Sequence, residues 1–162
     1  VYVGCAILDL SKLHMLDFHY NVIQAAFGDK AKLIYSDTDS YVYEIESPNI
    51  YDWIKRNKVW FDLSGSKRED MKDSENESKL GKFKDELHGQ AMTEFIALNP
   101  KCYAFRFQKL NQQIEEINKA KGVSYATVAK TLPFKEYEKV LEEGSINIEN
   151  NHKYWFLQPT AL

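Results

Sequence analysis

From Gly4 to Phe27 the apolar residues Ala6, Leu10, Leu13, Leu16, Tyr20, Ile23 and Phe27 recur at steps of three or four. That is the period of an amphipathic helix, and Gly28 supplies its C-terminal stop. The pattern then changes. LIYSDTDSYVYEI, Leu33 to Ile45, sets strand formers on both sides of a short polar centre and reads as strand, tight turn, strand. Pro48 closes the second strand, and Tyr51 to Trp60 reads as a short helix with Trp53, Ile54 and Trp60 available for packing. Ser64 to Lys79 has almost no apolar residue and is expected to be an exposed, mobile loop. Order returns at Leu80 to Glu86, and Met92 to Phe107 predicts two strands joined by a turn at Asn99-Pro100. The segments 110–123 and 134–144 read as helices, packing through Leu110, Ile114 and Ile117 and then through Tyr137, Val140 and Leu141. There is no internal repeat. Long helix, hairpin, further strands and helical tail together predict an α+β fold.

Composition narrows this picture only in part. The 162 residues, 44% hydrophobic and 14% aromatic, are globular rather than disordered. The helical pattern begins at once behind Val1 with no cap, so the chain is expected to be a fragment of a larger protein. A net charge of −3 carries no whole-chain sign of a nucleic-acid partner, which would favour a basic balance. Locally the sign reverses: from Lys79 to Lys109 six Lys and Arg residues face three carboxylates, a net +3. Cys5 and Cys102 lie far apart without metal-binding spacing and read as reduced thiols of an intracellular protein. Asp9, Lys12, His14 and Asp17 interrupt the apolar N-terminal segment, so no signal peptide or membrane span is expected. An intracellular, non-secreted location follows, with nucleus, mitochondrion and viral replication site all open.

The chemistry concentrates in Asp37 and Asp39. Turn formation needs one Asp, or Asp-Gly, and there is no glycine here. Two like charges one residue apart repel, and a cation between them relieves that cost. An EF-hand opening on Asp37 would need Gly at its sixth position and Glu at its twelfth, where the chain has Val42 and Pro48. His14, His19, His88 and His152 have no ligand spacing and read as packing or surface residues. Hard cations such as Mg²⁺ take oxygen ligands, keep waters and combine one or two carboxylates with substrate phosphates. The Asp-Thr-Asp triplet therefore suits two-metal nucleotidyl transfer or glycosyl transfer from a nucleotide sugar, and by itself does not separate them.

The surroundings do. YSDTDS, Tyr35 to Ser40, resembles the YxDTDS palm motif of family B DNA polymerases. KLGKFKDE (Lys79 to Glu86) and EFIALNPKCYAF (Glu94 to Phe105) are similar to that family's strand and K-x-Y motif, here Lys101-Cys102-Tyr103. NKAKGV, Asn118 to Val123, resembles the KxKG segment at the entrance to its thumb. With VGCAILDLSKLHMLDFHYNVI ahead of the hairpin, the combination is most similar to the protein-primed branch, the organellar and viral type that includes Polinton or Maverick elements and linear plasmids. The resemblance spans about Tyr2 to Leu141; after about Glu149 the chain diverges from it.

The resemblance implies a partial palm over 1–109, with the mobile loop at 64–79, and a partial thumb over 110–162. It implies that Asp39 bridges two Mg²⁺ ions and that Asp37 is the outer ligand. Thr38 and Ser40 would shape the turn, and Tyr35 would pack beneath it. Lys101 and Tyr103 would hold the primer near its 3′ end, and Lys121 and Gly122 would contact the template-primer backbone, since ammonium groups neutralise phosphate. The implied partners are primer-template DNA, deoxynucleoside triphosphates and a terminal protein primer, with no membrane. Motif A, which completes the metal site, and motif B, which binds the nucleotide, are not in this chain, and neither are the exonuclease motifs. The chain alone is therefore not expected to polymerise DNA. Two other readings stay open. An Asp-x-Asp glycosyltransferase would show strands and helices alternating upstream of the motif, where this chain has one long helix. A non-catalytic remnant of a mobile element would keep only a folding or binding role.

Overall fold

The strand formers of Ala31–Ile45 pair with one another. β1 (Ala31–Asp37) and β2 (Ser40–Ile45) form an antiparallel hairpin whose register ends on Asp37 opposite Ser40. The computed structural model describes residues 2–143, and the stretch from Asn150 where the resemblance ends lies outside them. Helices with two small antiparallel sheets make an α+β fold, as the pattern predicts. The chain divides into two compact units, Val1–Gly89 and Gln90 onward. The boundary expected after residue 109 falls instead inside a three-stranded sheet.

In the first unit, α1 (Tyr2–Asp17) runs into a wider π-helical segment, Phe18–Gln24, then α2 (Ala25–Phe27), and Gly28 at φ +53° ends the run. The expectation of one long buried helix is corrected here. Leu10, Leu13 and Tyr20 are exposed, while Met15, Phe18 and Ile23 are the buried positions. Within 18–24 the widening contributes, because i→i+5 pairing brings Phe18 and Ile23 toward the same side. Phe18 lies against Phe83, with ring centres 3.9 Å apart, and meets Phe61 edge-on at 5.8 Å. Around it Ile23, Ala31, Phe61, Leu63 and Met71 complete a buried cluster.

α3 (Ile50–Arg56) begins at Asn49, whose side chain caps the Tyr51 amide, and a short 3₁₀ turn Lys58–Trp60 follows. The stretch 64–79 forms no regular element and is mostly exposed, as expected, but it is tied down at several points. Its apolar residue Met71 is buried, and Asp73 bridges to Leu63. Asn76 donates to the carbonyls of Lys58 and Phe61. Asp62, fully buried, anchors the segment by accepting from the Ser64 amide and hydroxyl and from the Ser78 amide, with Lys84 Nζ at 3.3 Å. The expected strand 80–86 reduces to one parallel bridge, Phe61 to Phe83.

The second unit is a sheet of order β3-β4-β5 built from β3 (Ala91–Asn99), β4 (Cys102–Gln108) and β5 (Ile114–Ala120). The turn at Asn99-Pro100 is where the pattern puts it, with Lys101 at φ +62°. The helix expected over 110–123 is a strand: β5 pairs with β4 along its whole length, and Ile114 is exposed. Two isoleucines three apart fit a helical face, but both are β-branched and the waiting β4 edge pairs the backbone groups that face it. α4 (Tyr125–Thr131) is capped by Ser124, and α5 (Phe134–Glu143) matches the second expected helix. Phe134, Tyr137, Val128 and Leu132 seal against Cys102 and Ala104. Leu141, expected to pack, is exposed. Among the described residues no helix is long and apolar enough to cross a membrane.

Candidate metal and nucleic-acid sites

Within the first unit the hairpin turn carries both aspartates. The Asp39 amide donates back to the Asp37 carbonyl at 2.7 Å with Thr38 at φ +54°, a three-residue turn of the strained, positive-φ kind. A β-branched residue there is an outlier, and such strain gathers at functional sites. Thr38 Oγ1 donates to Asp37 Oδ1 at 3.1 Å, and Ser40 Oγ donates to the Asp37 carbonyl at 3.1 Å. Both side chains thus brace the turn, which leaves Asp39 exposed and Asp37 half-buried at its tip. Tyr35, also half-buried, sits two residues back along β1, just after a bulge at Ile34 that shifts the pairing between Leu33 and Tyr35.

β2 is anchored behind the turn. Tyr43 OH and His19 Nδ1 are 2.8 Å apart and their rings are stacked. Burial, reinforced by Tyr41, holds the Tyr43 hydroxyl above its ordinary value, so it stays protonated. His14 bonds to the Gly81 carbonyl and stacks on Phe83, so both histidines pack, as expected. Asp39 and Ser40 are among the residues lining a cleft of about 480 Å³, together with Phe18, Trp53, Phe83, Lys82, Lys84 and Glu86.

The donor chemistry of Asp37 and Asp39 fits a hard divalent ion, but as part of a site. Among the described residues no group of three or more His, Cys, Asp or Glu side chains is placed to hold a metal. Mg²⁺ there would complete its shell with water, substrate phosphate or a further carboxylate.

In the second unit the register of β4 and β5 sets Cys102 opposite Ala120 and Tyr103 opposite Lys119. The turn residue Lys101 and the residues just past β5, Lys121 and Gly122, therefore meet at one end of the sheet. All four residues assigned to DNA from the sequence are brought together. Gly122 has φ +84° and open space around it. Lys119 joins them, its Nζ 5.5 Å from the centre of the Tyr103 ring. It is the first lysine of the KxKG segment, from which the sequence reading assigned only Lys121 and Gly122. Carboxylates are engaged toward the other end, where Arg106 meets Glu94 at 2.9 Å and Glu116 at 3.6 Å and Lys109 pairs with Glu115. Compared with known proteins, the chain matches no family model, no curated sequence and no solved structure.

Proposed function

We propose that this chain is the C-terminal palm and thumb part of a family B, protein-primed DNA polymerase, contributing to template-directed nucleotidyl transfer at a primer 3′ end. The observation that carries the reading is the Tyr-Ser-Asp-Thr-Asp-Ser motif on a hairpin whose turn presents both carboxylates. The lysine-rich end of the three-stranded sheet supports it separately.

In this reading Asp39 is the principal metal ligand, and Asp37 assists with one oxygen held by Thr38. Bound Mg²⁺ supplies the positive charge that offsets charge developing on phosphate. Lys101 and Tyr103 grip the primer strand, and Lys121 with Gly122 lets the template-primer backbone approach closely. With one carboxylate pair in hand, the chain orients and binds rather than completing catalysis.

The test is titration of the chain with Mn²⁺ while backbone NMR signals are followed. Broadening should centre on Asp37 to Ser40 and vanish in Asp39→Asn; broadening spread evenly over other acidic residues would refute the metal role. In the full-length parent, Asp39→Asn should cut polymerisation by roughly a thousandfold, or about 4 kcal/mol of transition-state stabilisation.

A further inference from the structure

We infer that the face of the three-stranded sheet opposite α4 and α5 binds single-stranded DNA by stacking unpaired bases on Tyr103, Phe105 and Phe95. The inference rests on the nucleic-acid reading above and deepens it, since that reading assigns only backbone and primer contacts.

The two faces of the sheet differ. Cys102, Ala104 and Arg106 alternate toward α4 and α5, where Ala104, Phe134 and Tyr137 are sealed and the Arg106 guanidinium lies 4.1 Å over the Phe134 ring. Tyr103, Phe105 and Phe107 alternate to the opposite face. There Phe95, paired with Phe105 across β3 and β4, joins them. Ring centres run 5.8 Å from Phe95 to Tyr103, 6.3 Å from Tyr103 to Phe105 and 6.2 Å from Phe105 to Phe107. Tyr103 and Phe105 are inclined by only 19°, so their ring planes run nearly parallel. Phe107 is buried and anchors the ladder, whereas Phe95, Tyr103 and Phe105 are half-buried.

Aromatic side chains at i and i+2 of a central strand, with a third on the neighbouring strand and helices behind the sheet, form an arrangement on which successive bases stack. The charge pattern selects the occupant. Lys119, exposed, holds its ammonium 5.5 Å from the centre of the Tyr103 ring, and Lys101 and Lys121 lie at the same end of the sheet. A ligand with flat apolar faces joined by an anionic backbone satisfies both features. An apolar polypeptide would offer Lys119 and Lys121 no counter-charge.

The experiment compares binding of the full chain to a dye-labelled oligothymidylate and to an abasic strand of equal length, which has the same phosphates and no bases. The thymidylate should bind about five- to a hundredfold tighter for each stacked base. Phe105→Leu should remove most of that advantage and leave abasic affinity unchanged. Equal affinity for the two strands would overturn the stacking proposal while leaving backbone binding intact. Loss of both affinities together in Phe105→Leu would also overturn it. Failure of the chain to bind either strand, or primer-template DNA, would overturn the nucleic-acid reading itself. A second measurement needs no variant: an oligonucleotide carrying 5-iodouracil, irradiated with the parental chain, should form adducts at Tyr103 or Phe105. Adducts only at residues of the first unit would refute the proposal.

Discussion

The lysines gathered at one end of the sheet lead to a number. Each ammonium that neutralises a duplex phosphate releases condensed counterions and steepens the fall of log affinity with log salt by ~0.9. The β4–β5 register assembles Lys101, Lys119 and Lys121, so changing all three to Gln should flatten the slope by about 2.7. Across a fourfold rise in salt, from about 50 to 200 mM, the parental chain should then lose roughly fortyfold more affinity than the triple variant. All three side chains are exposed, so the variant should fold. Fluorescence anisotropy with labelled primer-template at several salt concentrations measures both slopes. Lys32→Gln, which removes a hairpin lysine paired with Glu44 at 3.8 Å, controls for simple loss of charge. The reasoning is wrong if the triple variant keeps the parental slope, or if Lys32→Gln flattens it as much.

Two stability predictions accompany it. Asp62→Asn should destabilise the first unit by about 1–3 kcal/mol, because at a buried position an amide group would oppose the Ser78 N–H that now donates to the carboxylate. The Ser64 hydroxyl first, and then the Ser78 and Ser64 amides and Lys84, outweigh burial and hold the Asp62 carboxyl well below the usual range. That stability is present above the unfolded value of about 3.9 and is lost as pH falls through the folded value, so the variant should flatten part of the acid limb. Denaturant melts followed by tryptophan fluorescence at neutral and acid pH decide it, and identical curves for both proteins would refute the anchor role. Thr38→Gly should stabilise the hairpin, since relief of about 1–3 kcal/mol of strain exceeds the roughly 0.5–1 kcal/mol entropy cost of glycine. Slower hydrogen exchange at Tyr41 and Val42 would bear this out, and faster exchange would show that Thr38 is not strained.

The hairpin, its aspartate pair and α5 were legible in the chain because each depends on neighbours in sequence. Strand formers flank a polar turn at Asp37 to Ser40, and apolar residues recur at helical spacing from Phe134 to Val140. The strained turn at Thr38 was not legible, since nothing local distinguishes it from a two-residue hairpin loop. Periodicity failed where a partner distant in sequence decided the outcome. Ile114 and Ile117 fit a helix until β4 offers its edge, and that exchange of helix for strand is what sets Lys119 opposite Tyr103. Met71 alone could not announce that a polar stretch would fold back over Phe61 and Leu63. The helix α1 shows the same limit in reverse, with apolar residues at helical spacing of which Leu10 and Leu13 stay exposed. Local backbone preference is written in adjacent residues, whereas burial and strand pairing are set by which surfaces meet after the chain has folded.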